Sequence, residues 1–122
     1  MPPLGSAGEE AAAALFAPGA VVVVSLAGPR EKFWGALRAI TPAGISLTGI
    51  DLNSFDDFVR ALRAGEPAVA GTAFFPMHRV ERVDADLGIS GLPSLRERFE
   101  TATGQSLEAA FGAARPGGRG RE

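Results

Sequence analysis

The chain has 122 residues and 12.6 kDa, enough for one compact domain and too few for two ordinary ones. Hydrophobic residues at 46% and charged residues at 21% give a globular composition, which excludes a wholly disordered protein. Twelve basic against fourteen acidic residues leave a net charge of -2, which advertises no affinity for nucleic acid or anionic membrane, and zero cysteines exclude disulfides and thiolate chemistry.

Ser6 and Glu9 have capping-box spacing, so the alanine-rich run from Glu9 to Ala17 is expected to be a short helix, stopped by Pro18 and Gly19. Those breakers and the preceding Glu9 and Glu10 speak against a signal or membrane-spanning segment, and the reading is a cytoplasmic protein. The run Ala20 to Leu26 holds four consecutive valines; its stiff β-branched side chains and lack of alternation predict a strand buried on both faces. After a turn at Gly28-Pro29, a long strand over Lys32 to Thr41 is expected. Phe33, Gly35, Leu37 and Ala39 fall on one face, and Lys32, Trp34, Ala36, Arg38 and Ile40 on the other. Gly35 would permit a sharp bend or a close backbone approach.

Thr41-Pro42-Ala43-Gly44 suits a type I turn with a bulge residue. It predicts Thr41 opposite Ile45, Ala39 opposite Leu47, Leu37 opposite Gly49, Ile40 opposite Ser46 and Arg38 opposite Thr48. Strand three should end near Asp51, with Ser54 capping a helix that carries Asp56 and Asp57 in its first turn and Phe55, Phe58, Val59 and Leu62 on its apolar side. A strand from Gly71 to Phe75, a tight turn from Pro76 to His78 and a last strand from Arg79 to Asp84 follow. Ser94 and Glu97 form a second capping box, Leu95, Phe99 and Ala102 make one stripe, and Ser106 opens a further short helix with Leu107, Ala110 and Phe111. The organisation read from this is a disordered N-terminus at 1–8, a small β-barrel domain with its N-terminal helix at 9–86, a helical hairpin at 87–112 and a disordered Arg/Gly tail at 113–122.

The element order is similar to the Sm-like (LSm/Hfq) version of the SH3-type small barrel, over roughly residues 9–84. Gly28, Gly35-Ala36-Leu37 and Ile40 resemble the family's first motif; Met77-His78-Arg79-Val80 with Val83 resembles the bacterial Hfq segment in which a lysine-histidine pair precedes an apolar strand. The resemblance implies a mostly β, five-stranded small barrel with flanking helices, one inserted between strands three and four. It also implies a non-catalytic, RNA-binding module that forms homo-oligomers by edge pairing. Thr41 stands where the family has an acidic residue, no asparagine lies near Gly44 or Ile45, Phe75-Pro76 replaces Arg-Gly, and Met77 replaces Hfq's lysine, so those polar roles do not carry over.

Function narrows to binding. His78 is the single histidine, with no nucleophile or second ligand in a recognisable motif, and the acidic residues occupy first-turn and strand-end positions. No catalytic residue, metal ligand or cofactor is expected. The candidate RNA- or partner-binding residues are Lys32, Trp34, Arg38, His78 and Arg79, an aromatic flanked by cations being the simplest base-stacking surface. Against RNA, residues 9–112 carry nine basic and thirteen acidic side chains. The alternative is a protein-interaction module whose helical hairpin meets a partner through Leu95, Phe99, Leu107 and Phe111.

Overall fold

A computed structural model describes residues 14–111. Five antiparallel strands form one sheet in the order β4-β3-β2-β1-β5: β1 (Val21–Leu26), β2 (Glu31–Thr41), β3 (Gly44–Asp51), β4 (Gly71–Pro76) and β5 (Val80–Ala85). Helix α1 (Phe55–Arg63) is inserted between β3 and β4, while α2 (Leu95–Thr103) and α3 (Leu107–Ala110) follow β5. Strands β4 and β5 are joined by a 3-10 turn over Met77–Arg79 but do not pair, so the sheet is open rather than a closed barrel. The expected disorder at 1–8 and 113–122 and the greater part of the expected helix at Glu9 to Ala17 lie outside the described residues; Ala14 and Leu15 are helical.

Strand alternation divides the interior into two cores, one on each face. Val22, Val24 and Leu26 of β1 join Leu37, Ile45, Leu47 and Phe75 on the inner face, where Val80 and Val83 of β5 also pack. Side chains from both edge strands therefore reach one cluster, which requires the sheet to curl. On the outer face Trp34, Ala36 and Ile50 meet Phe55 and Phe58 of α1, Phe99 of α2, Leu107 of α3 and the adjoining Phe111, with Val21 and Val23 beneath. The valine run of β1 is thus packed from both sides, as its lack of alternation predicts. The outer core joins the described part of the helical hairpin, through Leu95, Phe99, Leu107 and Phe111, to the sheet.

The β2–β3 register differs from the expected one. Thr41 Oγ1 accepts the amides of Ala43 at 3.1 Å and Gly44 at 3.3 Å, closing a two-residue loop in which Thr41 pairs with Gly44. Arg38 is then the surplus residue of a bulge between Leu37 and Ala39, so Leu37 lies opposite Leu47 and Gly35 opposite Gly49. The loop slips the pairing by one residue and the bulge by a second. From Phe33 to Leu37 the shift is two residues and returns each side chain to its expected face, so the apolar pattern survives there, whereas the one-residue slip at Ala39 to Thr41 sets Ile40 opposite Ile45 instead of Ser46.

Helix ends follow their chemistry. Ser94 and Glu97 complete a reciprocal capping box, Ser106 Oγ accepts the Ala109 amide, and Gly104 closes α2 with a φ of 71°. Ser54 does not cap α1: Asp51 Oδ1 accepts the Asn53 amide at 2.8 Å and opens a 3-10 turn over Leu52–Ser54 that leads into the helix. Arg96 ties α2 to α3; burial works against its charge, but Glu108 and Glu100 outweigh that and raise its pKa above the ordinary guanidinium value.

Asp86 fastens the helical layer to the sheet. Its Oδ2 accepts the Trp34 indole N–H at 3.1 Å and the Arg96 amide at 2.8 Å, while Oδ1 accepts the Leu95 amide at 2.9 Å. One carboxylate thereby satisfies a buried donor and two free amides at the positive end of α2. Replacing Asp86 by alanine leaves all three unpaired and is expected to cost about 2–4 kcal/mol in urea unfolding, each orphaned buried donor costing about 1–3 kcal/mol.

Candidate functional site

The residues singled out in the sequence do not come together. Trp34 is wholly buried, its ring edge-on to Phe55 at 5.2 Å and to Phe111 at 5.5 Å and tilted against Phe99 at 5.8 Å. It shares a face with Lys32 and Arg38 as expected, but that face is roofed by the helices, so Trp34 offers no stacking platform. Lys32 is exposed near the start of β2, and Arg38 is half-buried at the bulge. The six intervening steps of strand separate the two cations by about 20 Å.

Arg79 is occupied by the fold. Its Nε donates to the Ala27 carbonyl at 3.0 Å, and its Nη2 donates to the Pro29 carbonyl at 2.7 Å and to Glu31 Oε1 at 3.0 Å. It therefore staples the β1–β2 turn instead of presenting a charge. His78 is exposed in the 3-10 turn. The proposed partner-contact residues Phe99, Leu107 and Phe111 are buried in the chain's own core, with Leu95 packed at its margin, which corrects their reading as an intermolecular surface. A sequence shows that such a stripe must be covered; it does not show that the cover belongs to the same chain.

The accessible apolar and polar backbone surface lies elsewhere. In β4, residues Gly71, Thr72, Ala73 and Phe74 are exposed, and Phe74 keeps 53% of its surface. The Met77 amide donates to the Ala43 carbonyl at 2.9 Å, so Pro76 and Gly44 form a non-hydrogen-bonded pair in the antiparallel ladder. Alternation from that point turns the backbone groups of Gly71, Ala73 and Phe75 toward β3 and those of Thr72 and Phe74 away from the sheet. A hydroxyl contact of 2.7 Å between Thr48 and Thr72 holds the strand to β3 from the outer face. The phenyl ring of Phe74 lies across Gly44, where a Cβ would meet it at 2.5 Å. A cleft of about 180 Å³ opens beside the strand between Phe33, Leu47, Ala73 and Phe75.

A second exposed apolar feature follows β5. Ile89 and Leu92 exchange backbone hydrogen bonds of 3.0 and 2.8 Å across Ser90 and Gly91, whose φ values of 50° and 83° make a tight hairpin tip. Leu87, Ile89 and Leu92 are all exposed there. The sequence gives no sign that the leucines and isoleucine of this segment stay in solvent.

Among the described residues no group of three or more His, Asp or Glu side chains is placed to hold a metal ion, and no helix is long and apolar enough to cross a membrane. No protein-family model, curated protein or solved structure matches the chain. The physical features of the site therefore carry the functional reading by themselves.

Proposed function

We propose that this chain is a non-catalytic binding module of the Sm-like small-barrel type that self-associates through the edge of its open sheet. The observation that carries the proposal is β4: four exposed residues in regular strand geometry, with the Thr72 and Phe74 backbone groups aimed away from the sheet and no described element over them. Such an edge is a template for another strand, and natural monomers commonly blunt it with charge, proline or a cover. Here Pro76 removes one donor at the end of the strand, while Gly71 to Phe74 carry no charge at all. Among the described residues the opposite edge, β5, pairs only with β1, so a β4 edge meeting the β5 edge of the next copy gives a head-to-tail contact of the kind that closes into rings.

RNA binding is not part of this proposal, because base stacking needs an accessible ring and Trp34 has none. Amide hydrogen exchange tests the edge directly. At concentrations where the protein assembles, the Thr72 and Phe74 amides are expected to exchange at least tenfold more slowly than in dilute solution, while amides bonded inside the sheet do not respond to concentration. Fast exchange at both positions at every concentration would contradict the pairing. If a strand from a different protein occupies the edge instead, the chain alone stays unprotected there and gains protection only with that partner.

A further inference from the structure

We propose that a polar cleft over Ser25 is an anion site that takes the phosphate group of a small phosphorylated molecule. Ser25 points to the outer face, at the end of the sheet beyond the helical roof, and the cross-strand pairing sets Lys32 of β2 on one side of it and Arg82 of β5 on the other. The three residues form a single row across three strands. The cleft above them, about 360 Å³, is also lined by Arg30, Glu31 and Glu81.

Ser25 is only 5% exposed, yet its hydroxyl has no hydrogen-bond partner among the described residues. A buried hydroxyl without a partner is costly and uncommon, and here it lies in the floor of a cleft flanked by cations. The pairing shifts between Ser25 and Leu26, leaving Glu81 as an extra residue on β5, so the ladder is interrupted at the point where the hydroxyl sits.

The charges around the cleft are unequally available. Glu31 is held by Arg79 at 3.0 Å. Asp84 takes Arg82 through Nε at 2.9 Å, which raises the Arg82 pKa and leaves the terminal amino groups of the guanidinium for another acceptor. Arg30 and Lys32 make no side-chain hydrogen bond or ion pair among the described residues. A hydroxyl donor, an ammonium and a planar guanidinium fork together match a tetrahedral oxyanion, which accepts several hydrogen bonds at once. Glu81 lies beside Arg82 and adds to the field that raises its pKa, and as a carboxylate of the cleft it opposes accumulation of further negative charge. That favours one phosphate group over an anionic polymer. The site uses no residue of β4, but Glu81 and Arg82 lie on β5, the edge proposed to receive β4 of the next copy, so the phosphate titration is made at dilutions where the chain is monomeric.

The test is a titration of the full chain with inorganic phosphate at pH 7.5, against sodium chloride at matched ionic strength, following the amide resonances of Ser25, Lys32 and Arg82. Saturable shifts with phosphate alone are the expected result. Ser25→Ala is expected to fold with an unchanged or higher thermal midpoint, since it removes an orphaned hydroxyl, and to bind phosphate about tenfold or more weakly; Lys32→Gln should weaken it similarly. Equal shifts with chloride, undiminished binding by Ser25→Ala, or no saturation at these amides would overturn the proposal. So would binding of a short RNA oligonucleotide at these residues without any binding of phosphate.

Discussion

Gly35→Ala should destabilise the fold by about 3 kcal/mol or more in urea unfolding, because no side chain fits where the two central strands face each other. A Cβ on Gly35 would lie 2.2 Å from the Thr48 carbonyl oxygen and 2.6 Å from the Gly49 Cα; one on Gly49 would lie 2.1 Å from the Trp34 carbonyl oxygen. Both obstacles are backbone, in the most extensively paired ladder of the sheet, so neither can swing aside. Gly49→Ala should therefore behave alike. Gly71→Ala is the matched control: it is a strand glycine with nothing within 4 Å of its added Cβ, and its effect should stay within about 0.5 kcal/mol. Equal stability of Gly35→Ala and Gly71→Ala would show that the β2–β3 approach is not as close as described.

Trp34→Ala should cost about 3–5 kcal/mol, the range for deleting a buried large aromatic side chain. The ring is the common contact of Phe55, Phe99 and Phe111, so its loss leaves a cavity where all the helices meet the sheet, and it also strands the Asp86 carboxylate without its indole donor. Circular dichroism is the suitable probe, since Trp34 is the single tryptophan and the variant has no indole fluorescence. Against a typical domain stability of about 5–15 kcal/mol, such a loss can unfold a fraction of the protein at room temperature. A change below about 1 kcal/mol would mean that the helical layer does not depend on this ring, contrary to the packing.

Local chemistry was legible in the sequence where its causes are local. The valine run of β1 announces burial on both faces, Ser94 with Glu97 and Ser106 announce two helix starts, and Gly35 announces either a bend or a close approach, of which the structure has the approach to Gly49. The β2–β3 register was not legible, because it turns on whether the Thr41 hydroxyl closes a two-residue loop and on where the chain absorbs the surplus residue, here Arg38. Alternation correctly puts Trp34 beside Lys32 and Arg38, yet it says nothing about what covers that face. The cover comes from Phe55, Phe99 and Phe111, whose sequence positions carry no mark of their destination. Asp86 reads as a strand-end turn residue, whereas its indole partner lies 52 positions away. The β4 edge is defined by what does not pack on it, and the cleft over Ser25 by a cross-strand row; both are properties of tertiary arrangement.

Solution mass by size exclusion with light scattering, measured on the full chain across a hundredfold range of concentration, tests the edge-pairing claim most directly. The expected result is a mass of at least twice 12.6 kDa that falls toward 12.6 kDa on dilution. Thr72→Pro, which removes an outward amide and the hydroxyl contact to Thr48 but no backbone bond of the β3 ladder, and Phe74→Lys, which puts a charge on the edge, should each give a folded monomer under conditions where the parent assembles. A mass of 12.6 kDa at every concentration, or an assembly that both variants leave unchanged, would contradict self-association through β4.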